Sequence, residues 1–535
     1  MSASLRCALR IKLELPNEEH TVLLDPGEVG RTLTDLLRRE HMPLNTRCGE
    51  RQLCKSCTVE VLRDGTWQLE SGCQIRLDRE LTIRIPQNAL LAYTPQVLSD
   101  YRVNVPYAYD PLLGTRGLAA AIDVGTTTVA LSLVDLGSGA IVGKASAFNR
   151  QMHLGDDVLT RINLCLMDPD MLPTLQQAIV KETILPLLFE ALQDSGLELE
   201  DVQGFVVAGN ATMLHLLAGV DPSPMGMSPF TPRFIEHKVR SSEELGLIPE
   251  RVPVHLLPGA AAYVGADITS GIFASGLVYD DGPSMLVDVG TNGEIVLKLG
   301  DKLYGCATAA GPAFEGSGLN CGIRAGDGAI SHILLNADPF EVVTEIIGPP
   351  NTKASGICGS AYIDFLAQGY QMGLLSPSGR LQAAVVPEST SRLQKGDYGQ
   401  EFIVALGQGK RHISISEPDV ARLLQAKAAI AAGILILLGR IGVCPSEVKT
   451  LYLAGGFGMH LNIENAIKCG LFPGFAPDQI QLVGNTSLAG ATLSAIDSSV
   501  LGELSRIGHE IEIVELNLDP DFEDTYIDQL SLGES

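Results

Sequence analysis

The stretch Ala121-Ile-Asp-Val-Gly-Thr-Thr-Thr-Val-Ala-Leu-Ser-Leu-Val-Asp135 decides the fold of this chain. It is typical of a β-hairpin in which apolar residues lead into Asp123, a Gly-Thr-Thr-Thr turn follows, and alternating residues lead out. Glycine permits a tight turn beside a ligand, and successive backbone N–H groups and threonine hydroxyls can bind phosphate oxygens. A carboxylate at a strand end can hold a hydrated metal ion. Taken alone, the stretch is equally typical of a solvent-exposed hairpin.

A second stretch repeats this pattern. The segment Ser284-Met-Leu-Val-Asp-Val-Gly-Thr-Asn-Gly-Glu-Ile-Val-Leu-Lys298 again has a strand, an Asp-Val-Gly-Thr turn and another strand. An internal repeat of so specific a turn is hard to assign to chance. Two such turns facing each other would hold a nucleotide polyphosphate and its metal ion from two sides.

Length, composition and charge narrow the class of protein. A chain of 535 residues is too long for one core and is expected to form three or four domains or subdomains. The net charge of −25 argues against a nucleic-acid partner, because phosphate backbones require basic surface. We expect a cytoplasmic protein, since no secretory signal is visible and eleven cysteines fit a reducing compartment. The longest apolar run, 428–439, is too short to span a bilayer and predicts a buried helix.

Residues 1–88 are predicted to form a separate small domain with a metal centre. An irregular loop carries Cys48, Cys54 and Cys57, and Cys73 follows 16 residues later. This spacing is close to the plant-type ferredoxin pattern, in which thiolates on a loop converge on a [2Fe–2S] cluster. The alternatives are a structural zinc site, which normally pairs two Cys-x2-Cys knuckles, and free thiols. The pattern resembles the ferredoxin β-grasp fold, although the fourth cysteine comes unusually early.

The rest of the chain is predicted to be a linker and an α/β body. Residues 89–117 form a proline-interrupted linker, which we expect to be semi-stiff. We expect the body to consist of a first lobe, 118–205, and a second lobe, 206–535. We expect His215 to pack inside a helix and Cys358 to be a small buried residue rather than a nucleophile.

Further loops of small residues could border a ligand. Asp267 follows one such loop and is equally typical of a helix surface. Glu315 ends the segment Ala307-Thr-Ala-Ala-Gly-Pro-Ala-Phe-Glu315 and is a candidate contact for a metal ion or water. Gly455 and Gly456 follow a strand, where they would let a flat base or ribose lie against the backbone.

The two hairpins and the later Ala-Gly-Gly-Phe-Gly turn resemble the ASKHA superfamily of acetate and sugar kinases, Hsp70 and actin, over residues 118–535. This resemblance implies an actin-like, ribonuclease H-like, two-lobed ATPase. It also implies that the first phosphate loop consists of Asp123, Gly125, Thr126, Thr127 and Thr128. The second phosphate loop would consist of Asp288, Gly290, Thr291 and Asn292. Gly455 and Gly456 would border the adenosine.

The fusion of such an ATPase to an N-terminal [2Fe–2S] domain resembles the reductive activators of corrinoid proteins. This resemblance rests also on Gly-Asn-Ala-Thr-Met-Leu-His from 209 and Gly-Ile-Cys-Gly-Ser from 356. It implies ATP-dependent reduction of Co(II) to Co(I) on a corrinoid protein of a methyltransferase system, with Asp123 and Asp288 positioning Mg²⁺ and the attacking water. It further implies an unidentified electron donor and a homodimer, with neither nucleic acid nor membrane as partner.

Three other functions fit parts of the sequence. A small-molecule kinase with a fused ferredoxin would need a catalytic base that the sequence does not identify. An ATP-driven electron donor to another low-potential enzyme would, in the known activators of that kind, carry its cluster inside the ATPase fold. A plain electron carrier with a degenerate ATPase conflicts with two intact phosphate loops.

Overall fold

The structure is a computed structural model. It describes residues 9–15, 19–24, 28–40, 42, 44, 46, 57–86, 89–90, 101–103, 105, 107–406, 412–456 and 458–533. Cys48 and Cys54, two of the four predicted cluster ligands, lie outside these residues.

The first described residues form a small mixed sheet with one helix. Its elements are β1 (Leu9–Glu14), β2 (Glu19–Leu24), α1 (Leu33–Arg39), β3 (Thr58–Arg63), β4 (Thr66–Ser71) and β5 (Leu81–Arg84). The spatial order is β2-β1-β5-β3-β4, and β1 and β5 are parallel. Alternating residues of the strands, such as Ile11, Leu13, Val59 and Val61, are fully buried and pack in one core with the leucines of α1. The core therefore follows the period of two that strands impose.

A first large sheet begins with the predicted hairpin. Its strands are β6 (Leu118–Val124), β7 (Thr128–Asp135), β8 (Ile141–Phe148), β9 (Val202–Gly209), β10 (Lys238–Ser241) and β11 (Pro253–Leu256), in the order β10-β11-β9-β6-β7-β8. Its helices are α2 (Val158–Met167), α3 (Met171–Ile179), α4 (Leu185–Ser195), α5 (Ala211–Leu217) and α6 (Ser242–Leu245). A π-helical turn, Val180–Ile184, joins α3 to α4.

The predicted boundary between the lobes, at 205/206, is wrong. It falls inside β9, which pairs in parallel with β6 and with β11. The first sheet therefore continues to Leu256, the end of β11. Parallel strands are connected by long crossovers, so strands that are neighbours in this sheet are far apart in the sequence.

The remaining helices are α7 (Ala266–Ala274), α8 (Gly359–Gln371), α9 (Glu417–Ile441), α10 (Ile463–Lys468), α11 (Thr486–Ile496), α12 (Val500–Glu510) and α13 (Phe522–Asp528). The remaining strands are β12 (Ser284–Val289), β13 (Gly293–Leu299), β14 (Lys302–Thr308), β15 (Ala329–Ala337), β16 (Phe340–Ile346), β17 (Gly356–Ile357), β18 (Leu393–Gly396), β19 (Gly399–Leu406), β20 (His412–Ser416), β21 (Thr450–Ala454), β22 (Ile480–Gly484) and β23 (Ile511–Ile513).

The second large sheet repeats the first. Its order is β22-β21-β12-β13-β14-β23, and two small three-stranded sheets, β16-β15-β17 and β18-β19-β20, lie between β14 and α9 in the chain. In both large sheets an antiparallel three-strand meander is flanked by parallel strands on the side of its first strand. The repeat seen in the sequence is therefore a repeat of whole lobes.

Helix α11 joins the two lobes. It follows β22 of the second sheet, yet it packs on β6 and β9 of the first sheet and against α7. All eleven of its residues are buried. The core of the first lobe consequently includes residues from far along the chain, such as Leu488 and Leu493.

Helix α9 is the most apolar long helix in the described part of the chain. By length and composition alone it could cross a membrane, but 78% of its most apolar window is buried inside the protein. Residues 519–533 cover part of it. The Arg440 Nε atom lies 2.6 Å from Asp519 Oδ2, and Lys427 Nζ donates to the Ser531 carbonyl at 2.8 Å. We conclude that α9 is a core helix, as the sequence predicted.

Candidate active site

A cavity of about 220 Å³ lies where the two predicted turns face each other. Every residue that the sequence assigned to the phosphate loops and the glycine turn lines it. These residues are Asp123, Gly125, Thr126, Thr127, Thr128, Asp288, Gly290, Thr291, Asn292, Gly455 and Gly456. Glu315, the candidate contact for a metal ion or water, also lines the cavity. The structure thus brings together the three segments 123–128, 288–292 and 455–456, which are far apart in the sequence.

The two turns contact each other directly. The hydroxyl oxygens of Thr127 and Thr291 lie 3.4 Å apart, and Thr291 donates to Glu315 Oε1 at 3.0 Å. The first turn closes through a hydrogen bond from Gly125 N to Thr128 O at 2.9 Å. A Cβ atom at Gly125 would lie 2.5 Å from that same carbonyl oxygen, so the turn requires glycine.

A buried arginine supports the first turn from behind. Arg161, on α2, donates to the carbonyl of Thr126 at 2.5 Å, to Gly155 O at 2.9 Å and to Gln151 Oε1 at 2.9 Å. Burial lowers the pKa of Arg161 to about 10, so the guanidinium stays charged at neutral pH. This contact could not be predicted from the sequence, because the pattern of α2 is typical of an ordinary packing helix.

Asp123 is held by the start of α11. The side chain of Asn485 donates to Asp123 Oδ2 at 2.9 Å, and Ser487 Oγ donates to Oδ1 at 2.7 Å. Burial raises the pKa of Asp123, and these two hydrogen bonds oppose the rise. This contact joins residues 362 positions apart, so local sequence patterns do not reveal it.

Four carboxyl groups share the cavity walls near the strand ends. These groups are Asp123, Asp288, Asp267 at the start of α7, and Glu294 on β13. Burial and the neighbouring Asp123 and Glu315 raise the pKa of Asp288 to about 7. Burial and the charges of Asp288 and Asp123 raise the pKa of Asp267 to about 8. Burial and the charges of Asp267 and Asp288 raise the pKa of Glu294 well above its usual value. Of the two alternatives for Asp267, the cavity position is therefore correct, and Glu294 was missed.

Such crowded carboxyl groups fit a divalent cation. Among the described residues, no group of three or more His, Cys, Asp or Glu side chains is arranged to hold a metal ion by itself. Mg²⁺ commonly binds through one or two carboxylates together with water and substrate phosphates. Asp123 and Asp288 could provide two such carboxylates. Burial raises the pKa of both, and the charge of Asp123 adds to the rise at Asp288, so a bound cation would favour their ionised forms.

The other end of the cavity joins the lobes through an arginine. Arg324 Nη2 lies 3.5 Å from Glu315 Oε2, and the guanidinium carbon is 5.1 Å from the ring centre of Phe148 in the first lobe. Cys358 also lines this end, but it is buried and burial raises the pKa of its thiol, which disfavours a thiolate nucleophile.

His215, outside the cavity, is fully buried and bonded to Ala211 O at 2.6 Å, as predicted for a packing residue.

The two described cysteines of the small domain lie at the same end of one hairpin. Thr58 of β3 pairs with Ser71 of β4, so Cys57 and Cys73 leave the hairpin together, and both are buried and form no disulfide with another described residue. Gly72 N donates to Cys57 O at 2.8 Å, and a Cβ atom at Gly72 would lie 2.7 Å from that oxygen. The hairpin explains how a fourth cysteine only 16 residues after the third returns to it.

Two duplicated sheets with facing Asp-Val-Gly-Thr turns define an ATPase of the ASKHA class. Residues 118–280 match the family model described as the RACo middle region, and residues 282–535 match the one described as the C-terminal domain of RACo, the ASKHA domain. The chain belongs to the family of reductive activators of corrinoid proteins. The two matches meet between residues 280 and 282, in the connection between the last strand of the first large sheet and the first strand of the second.

Individual relatives agree with this assignment. The chain is 30% identical over 424 residues to the corrinoid activation enzyme RamQ of Eubacterium limosum, covering 78% of this chain and 70% of that protein. It is 23% identical to the [Co(II) methylated amine-specific corrinoid protein] reductase of Methanosarcina barkeri, over 73% of this chain and 72% of the relative. A solved reductive activator for corrinoid, iron-sulfur protein superimposes with a TM-score of 0.73 at 29% identity, covering 98% of each chain.

Proposed function

We propose that this protein uses ATP hydrolysis to drive a one-electron reduction of Co(II) to Co(I) on a separate corrinoid protein. The observation that carries the proposal is the pair of facing turns, each of which follows a strand with an aspartate near its end. Relatives of this chain are named for corrinoid activation and for reduction of a Co(II) corrinoid protein. In this proposal the phosphate is transferred to water, because hydrolysis serves to drive electron delivery and not to phosphorylate a substrate.

The residues of the cavity divide the work of hydrolysis. The hydroxyls and backbone N–H groups of Thr126, Thr127 and Thr291 bind phosphate oxygens from both lobes. Asp123 and Asp288 would hold Mg²⁺ and orient the attacking water, and when bound the ion would supply positive charge beside the phosphates. Gly455 borders the adenosine. Because the turns belong to different lobes and touch at Thr127 and Thr291, a nucleotide bound here favours the closed arrangement of the lobes.

The small domain supplies the electron. We propose that Cys48, Cys54, Cys57 and Cys73 hold a [2Fe–2S] cluster, which provides one-electron chemistry when bound. The buried positions of Cys57 and Cys73 at one hairpin end support this assignment. The electron comes from an external low-potential donor.

Coupling to ATP is needed because reduction to Co(I) is uphill from ordinary donors. For a one-electron step, every 59 mV of unfavourable potential difference costs about 1.4 kcal/mol. A closed, ATP-bound protein that binds the corrinoid protein in a conformation lacking an axial cobalt ligand would raise the cobalt potential. The protein acts in the cytoplasm as a homodimer, without nucleic acid or membrane.

The direct test mixes the protein, a Ti(III) reductant, ATP and a purified Co(II) corrinoid protein while the absorbance of Co(I) is followed. We expect Co(I) to form only when ATP is hydrolysed. If no corrinoid protein changes ATP turnover but a small alcohol or acid does, the protein is a kinase and the proposal is wrong.

The cluster assignment has its own test. Replacement of Cys73 by Ser is expected to remove or strongly alter the [2Fe–2S] absorbance and EPR signals without changing nucleotide affinity. Cys444→Ser is the matched control, because Cys444 is an exposed cysteine of the second lobe. Signals identical in the two variants would exclude Cys73 as a ligand.

A further inference from the structure

The described residues between the small domain and the first lobe do not form an isolated spacer. They attach to both ends of α11. Tyr101 pairs with Gly484, just before α11, and Arg102 N donates to Val483 O at 3.0 Å. Through these contacts the linker adds a short antiparallel bridge to the end of β22.

The second attachment lies at the other end of the helix. Asp110 N donates to Ile496 O at 3.0 Å, and Leu112 N donates to Ala495 O at 3.0 Å. Beyond the helix, Ser498 donates to Asp110 twice, from its backbone N–H to the carbonyl at 2.8 Å and from its hydroxyl to Oδ2 at 2.6 Å. The described residues 101–103, 105 and 107–112, hereafter the α11 clip, therefore bond to both ends of α11.

The first turn of α11 also holds the nucleotide site. Asn485 caps the helix, since its Oδ1 accepts from Leu488 N at 2.9 Å, and the same side chain donates to Asp123. Ser487 donates to the other oxygen of Asp123. Gly484, which pairs with the clip, accepts a hydrogen bond from Gly455 N at 3.2 Å. The segment 484–487 thus contacts the clip on one side, and Asp123 and Gly455 of the cavity on the other.

The burial of α11 makes this connection stiff. All eleven residues are buried between the first sheet and α7. Close-packed interiors have low compressibility and transmit displacement rather than absorbing it. A shift of Asp123 on nucleotide binding therefore moves Asn485 and Ser487, and with them the helix to which the clip is bonded.

We propose that the α11 clip positions Asp123 through Asn485 and Ser487, so that nucleotide binding and the attachment of the small domain's linker strengthen each other. This inference rests on the proposed function only for the identity of the nucleotide as ATP. Linkage makes the effect reciprocal: if nucleotide tightens the clip by some factor, loosening the clip weakens nucleotide binding by the same factor.

The test compares two substitutions at one position in the complete protein. Arg102→Pro removes the N–H that donates to Val483 O, whereas Arg102→Ala keeps it and is the control. We expect Arg102→Pro to raise the dissociation constant of a magnesium complex of non-hydrolysable ATP at least about fivefold. Arg102→Ala is expected to bind as the unmodified protein does, and the iron-sulfur spectrum should be unchanged in both.

Hydrogen–deuterium exchange gives a second readout that a merely structural linker would not show. In the unmodified protein the nucleotide analogue should slow amide exchange at Asp110 and Leu112, which lie outside the cavity. Ser498→Ala, a milder change at the far end of α11, should reduce this protection. If the clip exchanges equally with and without nucleotide, or if Arg102→Pro and Arg102→Ala bind nucleotide equally well, the inference is wrong. Neither measurement uses a corrinoid protein, so a failure here is distinct from a failure to form Co(I).

Discussion

Replacing Asp288 by Asn should remove a pH dependence of stability that the acidic cavity creates. Asp288 is exposed to the cavity but lies deep in the protein, and its pKa rises from the usual 3.8 to about 7 because of burial and of Asp123 and Glu315. Between these values the folded protein holds a proton that the unfolded chain has lost. Stability contributed by this group is therefore fully present below about pH 4 and is lost as the pH rises to about 7.

The size of the effect follows from the shift. Each pH unit in this window costs about 1.4 kcal/mol for one group, so raising the pH from about 5 to about 7 should lower the free energy of unfolding by up to about 3 kcal/mol. Water in the cavity reduces this value, whereas Asp267 and Glu294 act in the same direction. In the Asn variant the slope should flatten, since the titrating group and part of the repulsion on Asp267 are gone.

The assay is urea denaturation followed by circular dichroism, without nucleotide or divalent cation, at several pH values. The quantity to compare is the difference in free energy of unfolding between the unmodified protein and the Asn variant at each pH. Because the chain has several domains, this difference is more informative than either value alone. Millimolar Mg²⁺ should restore stability to the unmodified protein at pH 7 and have less effect on the variant. Parallel pH dependences in the two proteins would refute the reasoning, because they would mean that Asp288 is ionised alike in the folded and unfolded states.

Three further changes test other contacts. Arg161→Met should weaken nucleotide binding in calorimetry and destabilise the protein by about 3 kcal/mol or more, because the buried carbonyls of the first turn lose their donor; an unchanged affinity would contradict its supporting role. Gly125→Ala should abolish nucleotide binding while circular dichroism stays native, since the added methyl collides with Thr128 O; normal binding would show that the turn can shift. Lys427→Met should remove a stability gain between about pH 8 and about pH 10, because burial lowers the pKa of this lysine to about 8 and the unfolded chain alone binds the proton in that window; identical stability profiles would show that the amine is not buried as described.

Local patterns in the sequence were sufficient to predict the two hairpins and the cavity residues on them. Asp123 and Asp288 each end a buried strand before a Gly-Thr turn, and this pattern depends on a few neighbouring residues only. The supporting contacts are different in kind. Arg161 and Ser487 reach the first turn from helices whose own sequences are typical of packing, so their roles depend on the tertiary fold.

Two errors have identifiable causes. The lobe boundary at 205/206 was wrong because parallel pairing of β9 with β6 and β11 joins segments separated by helices, which local alternation does not reveal. Strand β4 was missed although Asp64-Gly65 is a strong hairpin signal, and both residues have positive φ in the structure. Recognition of that turn would have accounted for the early position of Cys73.

The covering of α9 by residues 519–533 has a consequence for the order of folding. The helix is complete when the ribosome has added Ile441, yet the segment that bonds Lys427 and Arg440 is made roughly 80 to 100 residues later, several seconds at ordinary elongation rates. During that interval part of an apolar helix faces solvent. Nascent or prematurely ended chains are therefore expected to depend on chaperones at this helix, and shortening the protein before residue 519 should yield aggregated material even though the nucleotide cavity is already encoded.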